Sequence, residues 1–120
     1  MKRNFDLIRR ILLDIEKVPA GEPFGKISYP EYDQPTIYEH LNLLSDGGLI
    51  KAKIIKAGTD IIDVHISGLT WGGHDFLDSA KDDSIWQKAK DTVLKSTPSI
   101  TFGILFEWLK NEVKQKFGLP

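Results

Sequence analysis

One stretch constrains the fold more than any other: Ile37-Tyr38-Glu39-His40-Leu41-Asn42-Leu43-Leu44-Ser45-Asp46-Gly47-Gly48-Leu49-Ile50. Ile37, Leu41 and Leu44 recur at the spacing of one helix face, with His40 beside them. Pro35 suits a first helical position, where its missing N–H costs nothing, and Gln34 before it is biased away from helix. Gly47 or Gly48 can take the left-handed conformation that closes the last carbonyls. Leu49 then sits where a contact back onto the last turn is usual. The pattern predicts a helix, a glycine turn and a strand with no slack between them.

The strand is expected to be half of a hairpin. Along Ile50 to Lys56 the residues alternate, with Ile50, Ala52 and Ile54 on one face and Lys51, Lys53 and Ile55 on the other. Ile62, Val64 and Ile66 form a matching apolar face, opposite Asp63, His65 and Ser67. A one-residue slip would exchange the faces, so the turn is expected to hold an odd number of residues, Ala57-Gly58-Thr59, with Gly58 at positive φ. That register sets Lys53 across from Asp63 and Lys56 across from Asp60.

Helical periodicity flanks this centre. Residues 4–17 read as an amphipathic helix capped by Asn4, with Phe5, Ile8, Leu12 and Ile15 on one face and Ile11 on its flank. Residues 19–33 hold three prolines and two glycines and read as turn and extended chain, with Lys26-Ile27-Ser28-Tyr29 a short strand. Tyr29 and Tyr32 are expected to cover the core from that side. Thr70 suits the N-cap of a helix over 71–81 with Phe76, Leu77 and Ala80 inward. Gly72 and Gly73 lower helix propensity there and read as positions where another backbone comes close. Ser84 and Gln87 have capping-box spacing for a helix over 85–96, on which Trp86, Ala89 and Val93 share a face. Pro98 is expected to start a last helix of about five turns, with Ile100, Ile104, Leu105, Trp108, Leu109 and Phe117 on one broad apolar side.

Composition narrows the class. A chain of 120 residues is one domain's worth, and sixteen basic against seventeen acidic residues leave a net charge of −1. No global basic field draws such a chain onto nucleic acid or an anionic membrane. The lack of cysteine excludes disulfides and thiolate chemistry and suits a reducing compartment. No apolar run has the length of a signal peptide or of a membrane span, so a soluble, cytoplasmic protein is expected, with no membrane contact.

Helix, extended segment, helix, hairpin, then helices is the order of elements in a winged helix. Leu43 to Ile50 resembles a recognition helix entering the wing, and Leu69-Thr70-Trp71-Gly72-Gly73-His74-Asp75-Phe76-Leu77 resembles the exit from it. Met1 to Arg9, with Leu69 to Leu77 and Ile85-Trp86, resembles an uncharacterised family of short phage and bacterial winged-helix-like proteins, a domain of unknown function. The resemblance covers the chain to about residue 95. It implies a fold and a phage or prophage setting, and it carries no catalytic or ligand residues. The expected architecture is therefore α+β: a single domain, winged-helix-like over about 1–81 with a two- or three-stranded hairpin sheet, extended by two helices over 82–120. The chain departs from DNA-binding winged helices in two respects. The helix expected between residues 19 and 33 is weak or absent, and the recognition-helix face is acidic.

At about 100° per residue, the outward side of the central helix carries Pro35, Glu39, Asn42 and Asp46, with Tyr38 and Ser45 on a flank. A DNA-binding reading puts Asn42 and Tyr38 near bases and leads with Lys51, Lys53 and Lys56 of the wing. Glu39 and Asp46 oppose it, because affinity comes mainly from phosphate contacts and that face has no base. The lysines also suit a solvated edge strand. His40, His65 and His74 lack ligand spacing, Gly72-Gly73 is no phosphate loop, and no serine sits in a nucleophile elbow. No metal, cofactor or enzymatic activity is expected. On the last helix, Phe102, Phe106 and Trp108 either complete the core or form an interface with a partner or with a second copy in a homodimer. The function expected first is that of a small accessory or regulatory protein acting through protein–protein contact. The alternative is a winged-helix transcriptional regulator that contacts DNA with its basic wing.

Overall fold

The computed structural model describes residues 1–97 and 99–120. Its architecture is α+β and winged-helix-like, with helices around a two-stranded antiparallel hairpin and further helices toward the C-terminus. The chain divides into two compact units, Met1–His74 and Asp75–Pro120. The division falls inside the helix Trp71–Ala80.

In the first unit, α1 (Phe5–Lys17) starts where Asn4 accepts a hydrogen bond from the Leu7 N–H at 3.1 Å. Its buried stripe, Phe5, Leu7, Ile8, Ile11, Leu12 and Ile15, is wider than the spacing of one face suggests. Each such side chain contributes about 1.5–3 kcal/mol by leaving water. The second helix, α2 (Gln34–Asp46), begins one residue earlier than expected, because Asp33 caps it by accepting from the Thr36 N–H at 2.8 Å. Its Ile37, His40, Leu41 and Leu44 are buried. His40 joins the two helices. Its Nε2 accepts from the Asn4 N–H at 3.0 Å, which makes Nδ1 the donor to the Thr36 carbonyl at 2.9 Å.

Residues 19–33 hold no strand; Lys26 to Tyr29 pair with nothing in a sheet. Side chains fasten this segment instead. The Tyr29 hydroxyl donates to Asp14 at 2.5 Å, and the Arg10 guanidinium lies 4.0 Å from the Tyr29 ring centre while pairing with Glu31 at 2.8 Å. Burial, reinforced by the Asp14 carboxylate, raises the Tyr29 phenol above its ordinary value. Gln34 Nε2 donates to the Ile27 carbonyl at 3.0 Å. Tyr29 is buried, and Tyr32 is half-buried and accepts from Asn4 Nδ2 at 3.3 Å.

The helix-to-strand junction is closed by the backbone. Leu49 N–H bonds to the Leu44 carbonyl at 2.9 Å and Gly48 N–H to the Ser45 carbonyl at 3.1 Å, with Gly48 at φ +75°. These are the paired bonds of a Schellman ending, and buried Leu49 and Leu44 supply its apolar contact.

The hairpin, β1 (Ile50–Ala57) and β2 (Asp60–Leu69), departs from the expected register. Ala57 pairs with Asp60, so the turn has two residues, Gly58 at φ +64° and Thr59 without a positive φ, the arrangement of a II′ turn. An even turn alone would exchange the faces. The pairs Lys56–Ile61 and Ile55–Asp63 leave Ile62 as an extra residue, and this bulge restores the parity. Ile54 therefore faces Val64 and Ala52 faces Ile66. Ile61 turns inward while Ile62, expected on the apolar face, is 55% exposed. A second irregularity, between Lys51–Gly68 and Ala52–Ile66, leaves Ser67 unpaired. Lys53 lies across from His65 rather than Asp63, and Lys56 across from Ile61 rather than Asp60.

The second unit contains the rest of α3 (Trp71–Ala80), then α4 (Asp83–Asp91), α5 (Val93–Ser96) and α6 (Phe102–Lys116). The helix expected over 85–96 is broken at Thr92 (φ −119°, ψ −89°). Its cap is Asp82, which accepts from the Ile85 N–H at 3.0 Å; Gln87 reaches forward to Asp91 instead of back to the cap. Lys116 and the Ser84 hydroxyl hold the Asp82 carboxyl below the usual carboxylate range. Pro98, expected to start the last helix, lies outside the described residues, and α6 opens at Phe102 with Thr101 as its cap. Leu105 and Leu109 are buried. Ile104 and Phe117, expected on the apolar side, are 60% and 61% exposed.

Candidate functional surfaces

The outward face of α2 stays acidic in three dimensions. Asp46 is exposed, Glu39 and Asn42 are half-buried, and no base lies in the last turn. Asn42 Nδ2 donates to Glu39 Oε1 at 3.2 Å, so the amide that would read a base edge already serves a carboxylate. Tyr38 does not stand on this surface. It is only 9% exposed, and it lines a concavity with Pro35, Glu39, Thr59, Asp60 and Ile61, where the hairpin tip covers it. The bulge that turns Ile61 toward α2 is a tertiary event, which helical angles do not report.

The wing lysines are arranged differently. Lys51, Lys53 and Lys56 are exposed and form no ion pair among the described residues. Asp63, expected across from Lys53, is held by His65 Nε2 at 3.1 Å and by the Val64 N–H at 2.9 Å. Strand alternation puts Lys51 and Lys53 on one face and Lys56 on the other.

Where β2 leaves the wing, the chain is locked to the glycine junction. Thr70 N–H donates to the Leu49 carbonyl at 3.1 Å, and its hydroxyl donates to the Gly48 carbonyl at 2.5 Å while accepting from the Gly73 N–H at 3.0 Å. A Cβ at Gly73 would stand 2.0 Å from the Leu49 carbonyl oxygen, the close backbone approach expected at this glycine pair. This lock positions Trp71 at the first turn of α3 with 85% of its surface in water. No sequence motif singles out Trp71. The signal was present: it lies about 180° around the helix from Ala80, opposite the inward Phe76–Leu77 side.

On α6, Phe102 and Phe106 are half-buried around Phe76, which is fully buried. Ring centres lie 4.8 Å apart for Phe76–Phe102, 5.6 Å for Phe76–Phe106 and 5.7 Å for Phe102–Phe106. Lys110 lies 4.5 Å from the Phe106 ring centre and Lys88 6.0 Å from that of Trp108, which is also half-buried. The apolar side chains this helix gives to water are Ile104 and, at its end, Phe117. Of the histidines, His40 is buried in the α1–α2 link, His65 is exposed beside Asp63, and His74 is exposed. Among the described residues no group of three His, Cys, Asp or Glu is placed to hold a metal, and no helix is long and apolar enough to cross a membrane.

Fold and surface together define a winged-helix-like α+β protein with an acidic helix face, a basic wing and a tryptophan presented beside the wing's base. The chain belongs to the family described as "Hypothetical protein (DUF2513)", which matches residues 2–99. It is similar to an "Uncharacterized protein" of Haemophilus influenzae (strain Rd), with 36% identity over 96 residues that cover 78% of this chain and 79% of that protein. No solved structure matches it.

Proposed function

We propose that the protein is a small non-enzymatic accessory or regulatory protein acting through protein–protein contact, in the phage or prophage setting that the sequence resemblance implies. The observation that carries this reading is Trp71. A large indole is held 85% in water by a turn whose backbone is bonded on three sides. Tryptophan, with tyrosine and arginine, is enriched among the residues that anchor protein interfaces, and a rigid platform lowers the ordering cost of binding. The test is co-purification of the tagged chain from its source cells, beside Trp71→Ala and the pair Glu39→Lys, Asp46→Lys. A stoichiometric protein retained by the native chain and lost with Trp71→Ala is the expected result. A strictly monomeric chain that retains nothing would remove the reading, and retention indifferent to Trp71 would remove the indole as its anchor.

A second reading is favoured by one observation, the three unpaired wing lysines: a transcriptional regulator that meets DNA along the wing. The acidic α2 face, the engaged Asn42 and the buried Tyr38 weigh against it. If it holds, DNA affinity falls steeply with salt, and Lys51→Glu, Lys53→Glu and Lys56→Glu together abolish it.

A further inference from the structure

The outer edge of β2 is open. The sheet has two strands, and among the described residues no backbone hydrogen bond runs from Asp60–Gly68 to anything except β1. Beside this edge lies a concavity of about 600 Å³ lined by Val18 to Phe24 on one side and by Ile66 and Ser67 on the other. Its far wall is shaped by a turn: Glu22 N–H bonds to the Pro19 carbonyl at 3.1 Å, with Gly21 at φ +84°. Pro19 and Pro23 have no N–H to offer, so this wall supplies few donors to the strand edge. Ser67, left unpaired by the irregularity in β2, faces the same space.

An unpaired strand edge beside an open groove suits another extended backbone. The chain's own candidate, Lys26 to Tyr29, is held elsewhere: Tyr29 by Asp14 and Arg10 on α1, and Ile27 by Gln34 at the start of α2. We propose that an extended segment of a partner protein adds to the β2 edge at Ile66–Ser67 as a third strand. The inference rests on the protein-contact reading and names a surface for it other than Trp71. Val18, Phe24 and Ile66 call for an apolar side chain at the position facing them, and Glu22 favours a lysine or arginine near one end. Proline is excluded from the positions that face β2.

The test selects binders from a random dodecapeptide display on the immobilised full chain. The selected peptides are then made in two forms, unmodified and with alternate backbone amides N-methylated. Expected are amide shifts at Val18, Ala20 to Glu22, Phe24 and Ile66 to Gly68 on binding. N-methylation on the β2-facing register should weaken binding about tenfold or more, since it removes backbone donors while leaving side chains intact. Phe24→Ala, at a half-buried position outside the main core, should weaken the same peptides with the fold preserved. Peptides whose affinity survives N-methylation in both registers, or a selection that yields none, would overturn the inference. So would a dimer of this chain joined through β2. Peptides that map to Trp71 would overturn it too while leaving the protein-contact reading standing. Salt-sensitive DNA binding without any protein partner would remove both.

Discussion

The two ends of the hairpin follow different rules. At its base, Gly48, Leu49, Thr70 and Gly73 meet so closely that a Cβ added at Gly73 would stand 2.0 Å from the Leu49 carbonyl oxygen. At its tip, a Cβ added at Gly58 would meet nothing within 4 Å, and Lys56 and Ile62 are given to water. Gly73 tolerates no side chain because the Leu49 carbonyl occupies the space a Cβ would need. The tip tolerates many, and its register comes from which residue is bulged. A fold anchored at one end and adjustable at the other can keep its scaffold while its wing changes, which suits a protein whose exposed groups are its working parts.

The largest effect that would sharpen this contrast is at the base. Gly73→Ala should destabilise the fold by about 2–4 kcal/mol, because the Leu49 backbone must move to admit the methyl group. A urea midpoint within error of the native chain would show that the lock is looser than the geometry says. Thr70→Val should come next, at about 1–2 kcal/mol, since it removes the cap of α3 and the bond to the Gly48 carbonyl together. Gly48→Ala and Gly58→Ala form a matched pair, as both glycines have positive φ. The strain is similar, about 1 kcal/mol or more, but the tip can open locally without unfolding the rest. Global stability should therefore fall more for Gly48, while hydrogen exchange near residues 56–61 should rise more for Gly58; equal losses would break the comparison. The smallest effect belongs to the wing lysines. Changing Lys51, Lys53 and Lys56 to Glu should shift stability by less than about 0.5 kcal/mol, because they are exposed and unpaired. A thermal melt that checks this also qualifies the triple variant as a clean probe of DNA binding.

The parts of the fold that could be read from the chain share one property: their determinants are local. Gly47-Gly48 announced a helix ending, Asn4 and Thr70 announced caps, and Gly72-Gly73 announced a close backbone. Each depends on a few neighbouring residues and on dihedral preferences that travel with the residue type. Other features depend on what lies opposite. An odd turn is required only of an unbroken ladder, and the bulge at Ile62 meets the same parity requirement with a two-residue turn. Tyr38 was placed on a surface by helical angle and then covered by Ile61 and the turn. The capping box at Ser84 lost to Asp82, whose carboxylate also meets Lys116 from a helix far along the chain. Ile104 and Phe117 have the right spacing for a buried side, but spacing cannot say where the neighbouring surface ends.

The candidate surfaces divide in the same way. The acidic side of α2 and the basic strand were legible because charge alternates with a known period, and the exposure of Trp71 was legible in principle by the same angle. The pairing of Asn42 with Glu39, the freedom of the lysines from Asp63 and the open edge of β2 were not. By itself, then, the sequence determined where the first three helices and the two hairpin strands begin and end within a few residues, because capping and turning are short-range chemistry. Only the tertiary structure decided which side chains face water and which backbone edge is left open, because both depend on contacts between residues far apart in the chain.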